Sequence, residues 1–241
     1  MVDEGFGGRI TWLGHAAFLI ESPGGARFAI DPWIHNNPKF PKGFEYGRLD
    51  AVLATHGHFD HFGDDGIRLV EDSGATLVSI FELAMHAGAQ GVKKLSGMNK
   101  GGAQTVAGVE IRMVNAIHSS GTSGAGKENN FPSDPCGYVL KLEDGFKVYH
   151  AGDTAVFSDM ALIAELYAPD VALLPIGDFY TMGPREAAKA CELLRAPRVI
   201  PMHWGTFPVL PGNPQALRDE LEKRGLSTEA VELTPGESWP K

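Results

Sequence analysis

The chain has 241 residues, 43% of them hydrophobic, enough for a buried core without covalent staples. A formal net charge of −9 with no basic run disfavours a broad nucleic-acid surface, because phosphate binding draws its affinity from clustered lysine and arginine. Acidic Asp3 and Glu4 stand where a secretion signal is basic, and no apolar run approaches the roughly 20 residues of a bilayer span, so a soluble cytoplasmic protein is expected.

Short Val/Ile/Leu-rich runs bounded by turn residues predict strands over Arg9–Trp12, Ala17–Glu21, Arg27–Ile30, Ala51–Ala54, Thr76–Ser79 and Val109–Asn115. After a polar gap a second batch follows, over Gly137–Leu142, Lys147–His150, Val171–Leu174 and Val199–Met202. Helical patterning falls between them, over Asp64–Asp72, Glu82–Ala87, Asp159–Tyr167, Pro184–Leu194 and Pro214–Arg224, with Pro184 and Pro214 placed as first-turn prolines. Two batches of strands with helices between them predict an α/β chain, a four-layer αββα sandwich forming one domain over 1–241. The Gly/Ser/Asn-rich segment Ser119–Pro135 is the expected boundary between the halves, or else a long loop over a site. Cys136 and Cys191 are too few for a disulfide framework and read as ordinary thiols.

The segment Leu53-Ala54-Thr55-His56-Gly57-His58-Phe59-Asp60-His61 carries the chemistry. An apolar strand ends and at once delivers three imidazoles and a carboxylate, the ligand types that suit zinc, manganese or iron, with Gly57 expected to allow a sharp turn. In extended backbone His56 and His58 point the same way and can hold one ion, while the following loop carries Asp60 and His61 to another. Further ligands should lie at the ends of other strands, and His118, Asp153 and His203 each follow one.

His56-Gly57-His58-Phe59-Asp60-His61 resembles the His-x-His-x-Asp-His motif of the metallo-β-lactamase superfamily, and His118, Asp153 and His203 match its later ligands in order. The surrounding words, Ile30-Asp31-Pro32-Trp33, His150-Ala151-Gly152-Asp153-Thr154 and Pro201-Met202-His203-Trp204-Gly205, are similar to those of small bacterial and archaeal metal-dependent hydrolases. More distant relatives by this resemblance are the L-ascorbate-6-phosphate lactonases and the N-acylphosphatidylethanolamine-hydrolysing phospholipases D. The resemblance implies that His56, His58 and His118 bind one metal, that Asp60, His61 and His203 bind a second, and that Asp153 bridges them. Two dications about 3.5 Å apart repel by roughly 19 kcal/mol at an effective dielectric of about 20, so bridging anions are needed. The implied cofactors are two divalent ions, zinc first, with manganese or iron as alternatives.

The expected activity is hydrolysis of a small ester, lactone or phosphoester by a bridging hydroxide. The substrate is a small molecule, which a residual positive charge on the cluster would allow to be anionic. Asp60 is the candidate to orient or deprotonate the nucleophile, and His15, where related families also carry histidine, the candidate to protonate a leaving group. Asp31 is placed to orient a ligand histidine or to cap a turn, and Thr55 to anchor the ligand loop or simply to end a strand. His35, Asp178 and Thr181 are candidates for the substrate mouth, and Trp33, Phe40, Phe44 and Tyr46 for an apolar rim, while His86 and His150 read as structural. A nuclease or phosphodiesterase acting on nucleic acid, and a non-hydrolytic di-iron redox protein, are the alternatives. No nucleic-acid or membrane partner is expected, and self-association stays open.

Overall fold

Successive residues of a strand face opposite ways, and the buried strands here divide their side chains between two cores on that rule. The computed structural model describes residues 6–122 and 131–240. Its first part runs β1 (Arg9–Trp12), β2 (Phe18–Glu21), β3 (Arg27–Ile30), β4 (Ala51–Leu53), α1 (Phe59–Phe62), α2 (Asp64–Ser73), β5 (Thr76–Ile80), α3 (Phe81–Ala89) and β6 (Leu95–Met98). Then come β7 (Ala103–Val106), β8 (Val109–Asn115), the short β9 (Gly121–Thr122) and β10 (Phe131–Pro132), β11 (Cys136–Lys141) and β12 (Lys147–His150). The chain closes with α4 (Met160–Tyr167), β13 (Val171–Pro175), α5 (Pro184–Leu194), β14 (Arg198–Met202), α6 (Pro214–Lys223), β15 (Glu229–Ala230) and β16 (Ser238–Trp239).

Two seven-stranded sheets form, in the orders β16-β1-β2-β3-β4-β5-β6 and β15-β14-β13-β12-β11-β8-β7. Each is antiparallel in one half and parallel in the other: β3 to β6 run parallel in the first, β12 to β15 in the second. Val148, Leu173 and Ile200 point into the core shared with Ile10, Phe18, Phe28 and Leu53 of the first sheet. Their neighbours Tyr149, Ala172, Leu174 and Val199 point outward, onto Met160 and Ile163 of α4, Ala187, Cys191 and Leu194 of α5, and Leu217 and Leu221 of α6. With α2 and α3 packed on β4, β5 and β6, the layers are α, β, β and α, as expected.

The boundary between the halves is not at Ser119–Pro135. β8 pairs with β11, Asn115 opposite Cys136 through to Glu110 opposite Lys141, so the segment 116–135 only joins neighbouring strands of one sheet. Residues 123–130 of it lie outside the described residues. The crossing between sheets comes earlier, between β6 and β7, at a turn closed by Gly102 N–H donating to the Asn99 carbonyl at 2.9 Å. The chain then returns to the first sheet through β16, paired with β1.

Both cysteines are free and buried, and burial pushes each thiol up to about 12, the behaviour of inert core residues. Among the described residues, no helix is long and apolar enough to cross a membrane.

Candidate metal centre

The chemistry-bearing side chains gather where several strands end. The β1–β2 turn brings His15, the end of β3 Asp31, the end of β4 Thr55 and His56, the segment after β8 His118, the end of β12 Asp153 and the end of β14 His203. Two links tie the sheets together just there: Cys136 N–H donates to the Thr55 carbonyl at 2.9 Å, and the Tyr138 hydroxyl to that of Ala54 at 2.7 Å. The His203 N–H donates to the carbonyl of His15 at 2.9 Å, and both residues adopt left-handed backbone, at φ 54° and 55°. Such strain in bulky residues is found where surrounding structure holds a side chain to a task.

Asp60 and His61 stand on the single helical turn α1 rather than on an irregular loop. Gly57 is not in left-handed backbone. Its role is space: a Cβ there would lie 3.1 Å from Thr122 and 3.2 Å from the Gly121 backbone, so the chain after β8 would have to shift by a few tenths of an ångström to lie over the ligand loop. Gly177, after β13, is tighter still, since a Cβ would meet the His203 carbonyl oxygen at 2.1 Å. Gly177→Ala is expected to lower stability by roughly 1–3 kcal/mol through overpacking, measured as the midpoint of a denaturant titration. An unchanged midpoint would mean the β13 and β14 ends separate freely.

His56, His58 and His118 form one cluster, and His15, Asp60, His61 and His203 a second, with the ligand atoms within each all within 4.8 Å of one another. Asp153 lies between them. Its Oδ2 is 3.6 Å from His118 Nε2, 3.3 Å from His61 Nε2 and 3.0 Å from His203 Nε2. Burial opposes the charge of Asp153, yet His203 and His61 beside it hold its pKa well below the usual carboxylate range. Burial lowers His56, His58 and His118, which keeps them neutral with lone pairs available. It opposes charge on His61 too, but Asp153 and Asp31 on either side raise that imidazole well above its usual value.

Asp31, fully buried, governs the donor roles. Its carboxylate accepts from Thr55 N–H at 2.8 Å, from the Thr55 hydroxyl at 2.6 Å and from His61 Nδ1 at 2.7 Å. Since the Thr55 hydroxyl gives its proton to Asp31, its oxygen accepts from His56 Nδ1, 3.0 Å away. The network therefore places a proton on Nδ1 of both His56 and His61 and turns each Nε2 towards the site, His56 Nε2 lying 2.9 Å from His58 Nδ1 and His61 Nε2 3.3 Å from Asp153 Oδ2. Thr55 is thus more than a strand-end threonine, and Asp31 does not act merely as a cap.

A cavity of about 570 Å³ opens over these groups, lined by His58, Phe59, Asp60, His118, Ser119, Asp153, Tyr180, His203, Phe207 and Val209. His15 is not in its wall but fully buried behind Asp60, with Nε2 at 3.3 Å from Asp60 Oδ2 and Nδ1 at 3.0 Å from the Thr206 hydroxyl. Burial, with His203 beside it, drives the pKa of His15 down to about 3. Asp60 resists burial of its charge because His15 and His61 face it, and stays at about 2.

The expected substrate mouth is placed differently. Tyr180 lines the cavity, whereas its neighbours Asp178 and Thr181 turn away into the loop's own hydrogen bonds. His35 faces a separate pocket and pairs with Asp65. Phe40, Phe44 and Tyr46 pack edge-on and tilted to one another against the core, and Trp33 is buried behind the wall, packing on Phe59 and Phe207. The aromatic rim is built instead from Phe59, Tyr180 and Phe207, which no spacing rule singles out. His150 is a satisfied core residue, donating from Nε2 to the Ala16 carbonyl and accepting Gly152 N–H at Nδ1. His86 lies on α3 against Phe131.

Imidazole and carboxylate groups converging at the ends of two facing sheets, under an open cavity, define a metal-dependent hydrolase. Residues 9–203 match the β-lactamase superfamily domain. The chain is 48% identical to a UPF0173 metal-dependent hydrolase of Rubrobacter xylanophilus over 98% of both chains, and 50% identical to one of Methanopyrus kandleri over 97% of this chain and 100% of that one. Its fold resembles Igni18, a metallo hydrolase of the archaeon Ignicoccus hospitalis, with a TM-score of 0.83 and 36% identity over 96% and 97% of the two chains. The chain belongs to the β-lactamase superfamily, in its UPF0173 metal-dependent hydrolase group.

Proposed function

We propose that this hydrolase works with two divalent ions, zinc before manganese or iron, and cleaves a small ester, lactone or phosphoester. The observation that carries this reading is the position of Asp153, one carboxylate oxygen of which lies within 3.6 Å of an imidazole nitrogen of each cluster. His56, His58 and His118 would hold one ion, Asp60, His61 and His203 the other, and Asp153 both. The residues fit the group: among the described residues, His61 Nε2 and Asp153 Oδ1 are buried without a hydrogen-bond partner, an arrangement rare in proteins unless another species completes it. When bound, such ions lower the pKa of water towards neutrality and polarise the oxygen of a carbonyl or phosphoryl group.

The chain's own part is positioning and proton handling. Asp60 keeps its carboxylate ionised in the cavity wall, able to orient an attacking water and accept its proton. His15, shut off from the cavity, steadies Asp60 from behind, and is a positioning residue in place of the leaving-group acid first expected. A nucleic-acid substrate is disfavoured because, among the described residues, no lysine or arginine is in the cavity wall.

Elemental analysis of the purified protein together with hydrolysis of p-nitrophenyl esters, lactones and phosphodiesters, before and after chelation, tests this reading. About two ions per chain and chelator-sensitive hydrolysis are expected. A fully loaded protein with one ion per chain would overturn the dinuclear assignment, and full loading with no turnover would overturn the hydrolytic one.

A further inference from the structure

Resting on the hydrolase reading, we infer that the substrate is an uncharged carbonyl compound, an ester or lactone, carrying an apolar arm that lies along Phe59, Phe207, Val209 and Tyr180. Among the described residues, and apart from the candidate metal ligands, the cavity wall offers those four side chains and Ser119. No lysine or arginine is among them to meet a phosphate or carboxylate. Three carboxylates, the buried Asp31 and Asp153 and the half-buried Asp60, would offset most of the charge that two dications bring. Little positive field remains to draw an anion, and a neutral reacting group suits the site better.

Three of the apolar side chains of the wall are exposed to solvent. Phe59 is 49% exposed, Tyr180 54% and Val209 42%, and Phe179, edge-on to Tyr180 at 4.7 Å, is 68% exposed. A contiguous apolar rim of this kind beside a polar site marks a ligand surface. It is also held rigidly. On one side buried Trp33 backs both Phe59 and Phe207, with ring centroids 5.8 Å away in each case. On the other, the loop after β13 places Asp178 and Phe179 in left-handed backbone, at φ 66° and 60°. That loop is closed by Asp178 N–H donating to the Met182 carbonyl at 3.0 Å, and anchored by Met182 N–H donating to Thr154, next to Asp153. Backbone strain that presents an aromatic ring at a cavity mouth fits a binding role.

The test compares p-nitrophenyl acetate, butyrate, hexanoate and octanoate with p-nitrophenyl phosphate and the monosuccinate ester, on the metal-loaded protein. The expected result is a kcat/KM rising about fourfold per added methylene, equivalent to ~0.8 kcal/mol, and slow turnover of both charged compounds. In Tyr180→Ser and Val209→Ser the slope against chain length should flatten, whereas Leu166→Ser, on α4 and outside the cavity, should leave it intact. Calorimetric affinities of alkyl hydroxamates of the same chain lengths supply a readout without turnover and should show the same slope. Octanoate no better than acetate, or a charged ester preferred, with hydrolysis still chelator-sensitive, overturns the apolar substrate class and leaves the hydrolase standing. No hydrolysis of any compound overturns the hydrolase reading, and hydroxamate affinities independent of chain length then overturn the apolar arm as well.

Discussion

Asp153→Ala is expected to leave less than about one part in a hundred of the activity and to halve the metal content, because the carboxylate touches both clusters. Loss of a group that merely orients a ligand costs about 10–100-fold, and removal of a shared ligand must exceed that. The electrostatics point the same way. Without this anion the repulsion between two dications loses its main internal offset, so one ion should leave before the other. Asp153→Asn keeps the volume and one acceptor oxygen, and separates loss of charge from loss of packing. It should fold with near-normal denaturant stability when metal-free, yet still bind a second ion poorly in a titration followed by elemental analysis. Two tightly held ions in both variants would remove Asp153 from the bridging position.

Much of the scaffold was legible because the buried strands carry short β-branched and leucine runs bounded by turn residues. The elements that escaped are those without that signature. β6 reads Leu-Ser-Gly-Met and β7 Ala-Gln-Thr-Val, both half-exposed, so neither hydrophobic run nor alternation marks them. Missing them displaced the crossing between sheets to the more conspicuous Gly/Ser/Asn-rich segment. The metal-ligand candidates were legible for the opposite reason, since histidine and aspartate after apolar strands are uncommon and chemically explicit. The cavity wall was not, because Phe59, Tyr180, Phe207 and Val209 differ from core residues only in exposure, which tertiary packing decides. His15 shows the same limit in reverse: its residue type suggested acid catalysis, and nothing in the sequence marked that it lies fully buried, 3.3 Å from the Asp60 carboxylate.

Asp31→Asn is expected to lower metal affinity by about 10–100-fold with little change in fold, through the protons it controls rather than through the space it fills. Asp31 sits at φ 46°, a left-handed conformation that asparagine tolerates almost as well as aspartate, so the backbone should keep its course. The side-chain oxygen can still accept from Thr55 N–H. The new amide, however, presents N–H groups where the carboxylate accepted from the Thr55 hydroxyl and from His61 Nδ1. The hydroxyl can rotate to accept, but it then competes with His56 Nδ1 for the same oxygen. His61 has no such freedom: two donors would face each other unless its proton moves to Nε2, the nitrogen that faces Asp153 and is needed for an ion. One substitution therefore disturbs a candidate ligand in each cluster. Asp31→Ala should do worse, because it adds the strain of a left-handed alanine and orphans buried donors, at roughly 3–5 kcal/mol for a broken buried pair. Competition with a chromophoric chelator, read beside a denaturant titration, separates the two variants. Affinity reduced in Asn without a matching loss of stability is the signature of a residue that sets tautomers, whereas unchanged affinity in both variants would reduce Asp31 to a turn residue.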